Sequence, residues 1–237
     1  IASCLVGSEM CIETGADNYF KPMYDYLHRQ LLHRKYLMAD ETRIQVLKEP
    51  ERNPETDSFM WLFRSGEDGL PPIVLYHYTE TRARYNAVDF LDGFSDGYLE
   101  TDGYQGYNNL MDQALLLLGA YKKHTFEQRK AYRLEKEKPI LDAFWNWLDE
   151  QKPRKGSRFE TAVKYAQNRK DTLMTYLEDG HCSFSNNLSE NVIRPFTVGR
   201  KNWLFSATPK GATASALVYT MVEMAKTCLL YTSPSPR

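Results

Sequence analysis

The sequence predicts an α/β protein built on a mixed sheet. Three observations carry this. Apolar runs of strand length follow one another between residues 36 and 78, separated by short loops with Pro or Ser-Gly. A helical stretch and one further short strand come next, near residues 82–101. From about residue 124 onward the apolar residues recur at helical spacing.

Residues 19–35 predict a helix, because Tyr19, Met23, Tyr26, Leu27 and Leu31 recur at helical spacing with Arg and His between them. Residues 36–47 predict a strand region, with Ile44-Gln45-Val46-Leu47 favouring extended backbone. Pro50 and Pro54 mark a turn. Phe59-Met60-Trp61-Leu62-Phe63 predicts a second strand, closed by Ser65-Gly66. Ile73-Val74-Leu75-Tyr76-His77-Tyr78 predicts a third, opened by Pro71-Pro72. The short connections favour an antiparallel meander. Residues 82–91 predict a helix, broken by Gly93 and Gly97, and Tyr98-Leu99-Glu100-Thr101 a short strand ending at Asp102-Gly103. Residues 115–118 are a further candidate strand. Residues 124–150 and 157–178 predict helices, with Ile140, Leu141, Phe144, Trp147 and Leu148 as an apolar stripe and residues 152–157 as linker. A last helix is expected over 212–227. Residues 1–12 and 229–237 lack a clear period or carry a Ser/Pro tail, and they read as foreign or disordered ends.

The 237 residues suffice for one large domain or two small ones. Hydrophobic content of 42% and 26% charge describe an ordinary soluble globular protein. No apolar run reaches the roughly 18 residues that span a membrane. Four cysteines form no C-x-x-C pair, which argues against a zinc site and favours a reducing, cytoplasmic setting. The net charge of −1 means that any contact with nucleic acid must come from local clusters. Residues 28–35, 82–84, 152–158 and 194–201 are such clusters, and each also reads as a solvated face.

Three acids stand apart along the chain. Asp40 follows Tyr36-Leu37-Met38-Ala39, where a strand carboxylate can point into a cleft or lie at a strand end beside Glu41. Asp102 precedes Gly103, which is equally a hairpin-turn signal. Glu190 follows Asn187 at the spacing of a capping box, and it precedes Arg194 by one helical turn. Three separated carboxylates of this kind can also hold two hard metal ions for phosphoryl transfer on nucleic acid.

The motifs Ala39-Asp40-Glu41-Thr42, Thr101-Asp102-Gly103-Tyr104, Asn186-Asn187 with Glu190, Ile193-Arg194-Pro195 and Gly199-Arg200-Lys201-Asn202-Trp203-Leu204-Phe205 resemble the catalytic part of a DDE transposase of the insertion sequence 66 family. The resemblance covers most of residues 13–228. It implies a ribonuclease-H-like mixed sheet flanked by helices, with a helical insertion over about 124–180 before the last catalytic helix. It implies that Asp40, Asp102 and Glu190 bind two Mg²⁺ ions, for which Mn²⁺ can substitute. The activity implied is cleavage and strand transfer of DNA, by a homo-oligomer on element ends and target, in the bacterial cytoplasm at the nucleoid. Arg194, Arg200 and Lys201 would contact phosphates, and Trp203 would stack on an unpaired base. Trp203-Leu204-Phe205 alternatively reads as a buried strand. The sequence departs from the family after Gly119, where a Gly-Cys-Trp-Ala-His-Ala-Arg-Arg block is replaced by Ala120-Tyr121-Lys122-Lys123-His124. That departure motivates a second reading, an inert remnant that folds and binds DNA weakly.

Overall fold

A computed structural model of the chain describes residues 12–101, 125–183 and 185–227. The chain divides into two compact units, one of residues 1–102 with 185–237 and the other of residues 103–184. The first unit carries the sheet. A π-helical turn, Ala16–Phe20, leads into α1, Lys21–Leu32. The strands are β1 Tyr36–Gln45, β2 Asp57–Ser65, β3 Val74–Thr79 and β4 Tyr98–Thr101, with α2, Arg84–Phe90, before β4. Their order is β3-β2-β1-β4. The first three form the expected antiparallel meander, and β4 lies parallel to β1. A parallel neighbour needs a crossover, and the segment holding α2 supplies it. Gly97 permits the close approach of β4 to β1, since a Cβ there would stand 2.2 Å from the Lys35 carbonyl oxygen.

Side chains alternate across each strand, so one sheet makes two cores. Leu37, Ala39, Phe63 and Leu75 pack with Tyr24, Leu27 and Leu31 of α1 and Phe90 of α2. Ile44, Met60, Leu62, Val74 and Tyr76 point the other way, into a second cluster. That cluster is completed by Ile193 and Phe196 of α7, Asn187–Trp203, and by Ala212 and Ala216 of α8, Pro209–Thr227. The last helix therefore begins three residues earlier than its sequence pattern indicates.

The β3 edge is closed by side chains. The Tyr76 amide donates to Thr220 Oγ1 at 2.9 Å and the Val74 amide meets Met224 Sδ at 3.2 Å, both from α8. The Tyr24 hydroxyl donates to the Tyr76 carbonyl at 2.9 Å. These contacts occupy edge groups that would otherwise offer a pairing template.

His77 of β3 packs its ring 4.8 Å from Phe90. Burial first, then the nearby His28 and Lys21, lowers its pKa from 6.5 to about 4. The unfolded chain thus takes up a proton near pH 6.5 that the folded chain refuses until about pH 4. Stability is full above the upper value and falls as pH drops through this window, by on the order of 3 kcal/mol. Urea unfolding at neutral pH and near pH 4 should show this loss in the wild type. His77→Phe should lose less by about that amount; an equal loss in both would remove His77 as the cause.

The second unit is helical as expected. It contains α3 Phe126–Tyr132, a π-helical turn Arg133–Glu137, α4 Lys138–Asp149, α5 Arg158–Asn168 and α6 Lys170–Met174. Thr125 and Gln128 form a reciprocal capping box at the start of α3, and Ser157 caps α5. The apolar stripe of α4 has a different phase from the expected one. Trp145 and Leu148 are buried against Val163 and Ala166, whereas Ile140 and Trp147 are about half exposed, at 50% and 49%. Two tryptophans two residues apart lie on different sides of a helix, and the partner helix selects Trp145. The candidate strand at 115–118 lies outside the described residues.

Candidate functional site

Asp40 lies on β1 directly opposite Leu62 of β2. Leu62 and Ile44 both belong to the cluster under α7. By the alternation of a strand, Asp40 shares that face. Its Oδ1 accepts from the Glu41 amide at 2.8 Å, and the residue is half-buried.

Three bonds from the sheet fix the first half of α7 over this face. Asn186 Nδ2 donates to the Ala39 carbonyl at 3.2 Å, one residue before Asp40. Arg64 donates to the Leu188 carbonyl at 2.9 Å, and the Tyr76 hydroxyl donates to the Val192 carbonyl. Burial lowers the pKa of Arg64 from its usual value, against an opposing contribution from Glu67. Glu190 sits between these anchors in the first turn of α7, exposed, beside the positive end of the helix dipole. The capping box proposed for Asn187 and Glu190 does not form. The N-cap residue is Asn186, and it makes no side-chain cap bond. Its amide is instead committed to β1.

Two polar atoms at this junction are buried without a hydrogen-bond partner, Asn186 Oδ1 and Ser189 Oγ. Among the described residues no three His, Cys, Asp or Glu side chains gather as a metal cage. Asp102 lies outside the described residues. The pairing of β4 with β1 is described as far as Thr101 opposite Ala39. The donors present, two carboxylates and an unpartnered amide oxygen, are all oxygen and suit a hard divalent ion.

The remaining candidates lie along α7 and its end. Arg194 and Lys201 are exposed, and no ion pair joins Arg194 to Glu190 one turn earlier. Arg200 donates to the Arg43 carbonyl and reaches Thr42 Oγ1 at 3.4 Å, so it clamps α7 to the end of β1. Gly199 lets the helix pass Tyr219 of α8, whose hydroxyl would meet a Cβ at 2.4 Å. Trp203 ends α7 and packs edge-on to Phe196 with ring centroids 5.3 Å apart. Leu204 and Phe205 are not a buried strand, being 62% and 44% exposed. Leu204 adopts φ 62° and ψ −48°, and the Phe205 amide donates to the Trp203 carbonyl at 2.7 Å. This is a γ-turn of the strained, positive-φ hand. Ser206 and Ala207 then bond to residues 45–48 and carry the chain back beside β1. Because Leu204 buries little, Leu204→Gly should raise stability by up to about 1 kcal/mol, relief of strain exceeding the added chain entropy. A lower unfolding midpoint in this variant would contradict strain at the turn.

Sequence reasoning did not single out Asn186 or Arg64 as site residues. The signal for Arg64 was available: a cation on β2 at the same parity as Leu62, directly after an apolar run. His181 is held by Asp179 at 2.7 Å and stacks on Phe126, all within the second unit.

The first unit is thus an α/β core in which the central strand bears Asp40 on the face covered by the helix that bears Glu190. The chain belongs to the Transposase IS66 family, whose model matches residues 8–120 and 115–214. The two matched stretches meet at the segment after Gly119 where the sequence departs from the family pattern. Relatives include the uncharacterized proteins y4hP and y4qI of Sinorhizobium fredii (strain NBRC 101917 / NGR234). The first is 31% identical over 268 residues, covering 88% of this chain and 47% of that protein. The second is 24% identical over 252 residues, covering 85% and 46%. The chain therefore spans about half the length of these relatives. No solved structure matches it. No helix among the described residues is long and apolar enough to cross a membrane.

Proposed function

We propose that this chain is the catalytic core of a DNA transposase that cuts and joins DNA strands by metal-dependent phosphoryl transfer on a ribonuclease-H-like fold. The observation that carries the reading is the docking of the first turns of α7 onto β1, which joins the segments of Asp40 and Glu190 through the Asn186 to Ala39 bond. The meander followed by a parallel β4 supports the proposed fold. Family membership supports DNA as the substrate, and a homo-oligomer on paired ends is the working form proposed with it.

In this mechanism Asp40, Asp102 and Glu190 would hold Mg²⁺, or Mn²⁺ in its place. When bound, such ions lower the pKa of an attacking water or 3′-hydroxyl and neutralise charge on the leaving oxygen. The protein supplies position. Asn186 fixes the start of α7 relative to β1, and Arg64 and Tyr76 hold its next two turns. Arg194 and Lys201, both exposed, neutralise phosphates along the same helix. Trp203 is the aromatic candidate beside an unpaired base, on the face not committed to Phe196. The carboxylates need no covalent bond to DNA, so the chain's own side chains orient and neutralise rather than attack.

The test is cleavage of a labelled element-end duplex with Mg²⁺ or Mn²⁺, against chelator, in the wild type and in Glu190→Gln. Metal-dependent cleavage that the variant loses is expected. Equal cleavage by both proteins would exclude the assigned role of Glu190.

A second reading, a folded remnant without catalysis, is favoured by one observation: the family model matches in two stretches that overlap at residues 115–120, where the sequence departs from the family pattern. It is distinguished by thermal unfolding with divalent ions. A catalytic site gains stability with added metal, and a remnant does not.

A further inference from the structure

At the end of β1, opposite in sequence to the anchored start of the strand, lies an open basin of about 330 Å³. It is lined by Glu41, Thr42, Arg43, Phe59, Arg82 and Arg200. Three arginines line it, from three separate parts of the first unit: Arg43 of β1, Arg82 of the segment before α2, and Arg200 of α7. Convergence of this kind is unusual on a chain of net charge −1. Like charges repel, so such a cluster stands at a cost unless an anion joins it.

Two of these cations have carboxylate partners. Arg82 pairs with Glu41, and Arg43 pairs with Asp57 at 3.1 Å. The two arginine side chains are 68% and 73% exposed. Asp57 is 47% exposed, so the Arg43 pair contributes little to stability and a phosphate replaces its carboxylate at little cost, whereas Glu41 is only 19% exposed and holds Arg82 more firmly. A guanidinium fork matches phosphate oxygens as well as it matches a carboxylate. Arg200 is different. It is bound to the Arg43 carbonyl and Thr42 Oγ1, so it gives the basin fixed positive charge as well as holding α7 to β1. By strand alternation Thr42 shares the face of Asp40, whereas Glu41 and Arg43 lie on the face of Ala39, so the basin has parts on both faces of β1 just beyond Asp40.

We propose that this basin seats the phosphate backbone of the DNA strand beside the cut, with Arg43 and Arg82 as phosphate ligands. Glu41 occupies Arg82 in the absence of DNA and is displaced when the strand arrives. The inference rests on the reading that the chain acts on DNA, and it adds two residues that neither that reading nor the family motifs assign.

The test is binding of a short labelled duplex to the full chain by fluorescence anisotropy, over a series of salt concentrations. Three variants are compared with the wild type: Arg43→Gln/Arg82→Gln, Glu41→Gln, and a charge-matched control, Lys136→Gln/Lys164→Gln, on exposed helices of the other unit. Each phosphate contact contributes roughly 0.9 to the slope of log affinity against log salt. The arginine variant should therefore lose about 1.8 in slope, and the control should keep it. Glu41→Gln should bind more tightly than the wild type, because it frees Arg82. An unchanged slope in the arginine variant, or an equal fall in the control, overturns the basin as the phosphate site while leaving DNA binding by the wild type in place. Failure of the wild type to bind any duplex overturns the DNA reading and this inference together.

Discussion

Asp40→Asn should lower metal-dependent strand cleavage by a factor of about 10³ or more, with the fold intact, because a charged ligand to a hard ion is worth several kcal/mol and about 4 kcal/mol corresponds to that factor. The substitution is chosen for what it preserves. Asparagine keeps an Oδ1 that can accept from the Glu41 amide, as Asp40 does at 2.8 Å. Shape and local hydrogen bonding are therefore retained, and only the charge is removed. Two readouts follow. Cleavage should fall, and the rise in unfolding temperature on adding Mg²⁺ should shrink or vanish, since a ligand stabilises only the state that binds it. Wild-type cleavage in Asp40→Asn would exclude this strand as the ion-binding one.

The same residue shows how far the sequence could be read. The apolar run of residues 36–39 marks a strand covered on both faces, and the structure places β1 between β2 and β4 with Tyr36, Leu37, Met38 and Ala39 buried. Parity alone then puts Asp40 with Ile44. The parallel pairing of β4 and the anchoring of α7 are another matter. The three bonds that hold the first half of α7 to the sheet join residues 147, 124 and 116 positions apart. No local pattern encodes such partners, and family resemblance supplied what periodicity could not. Asp102 lies outside the described residues, so its place beside Asp40 rests on that resemblance. The failures have a common cause. Leu204-Phe205 looked like core because both residues are apolar, yet a γ-turn directs them to solvent. Trp147 looked like core for the same reason, yet Trp145 fills the space against Val163. Hydrophobicity tells which residues can be buried, and backbone direction decides which ones are.

Arg133→Met should destabilise the second unit by about 3–5 kcal/mol, because three buried carbonyls lose their donor. Arg133 is 1% exposed, in the π-helical turn before α4. Its guanidinium donates to the carbonyls of Tyr176 at 2.9 Å, Asp179 at 3.1 Å and Cys182 at 3.0 Å. It also lies over the Tyr176 ring, 5.1 Å from the centroid, while the Tyr176 hydroxyl donates to Glu137 at 2.8 Å. One side chain thus satisfies three carbonyls along the segment that leaves α6, from the 3-10 turn Thr175–Leu177 to Cys182. Methionine keeps the packing of the stem but leaves those carbonyls without a donor, and each unpaired buried carbonyl costs about 1–3 kcal/mol. Water entering the gap offsets part of that sum. All these partners fall within residues 103–184, so amide exchange should accelerate across 126–183 while the amides of β1 to β3 keep their protection. Arg133→Lys separates charge from geometry. A lysine restores the positive charge but has no planar fork to span three carbonyls, so it should recover only part of the loss. Wild-type exchange rates over 170–183 in Arg133→Met would mean that the segment holds without the guanidinium. Full rescue by lysine would mean that charge alone organises it.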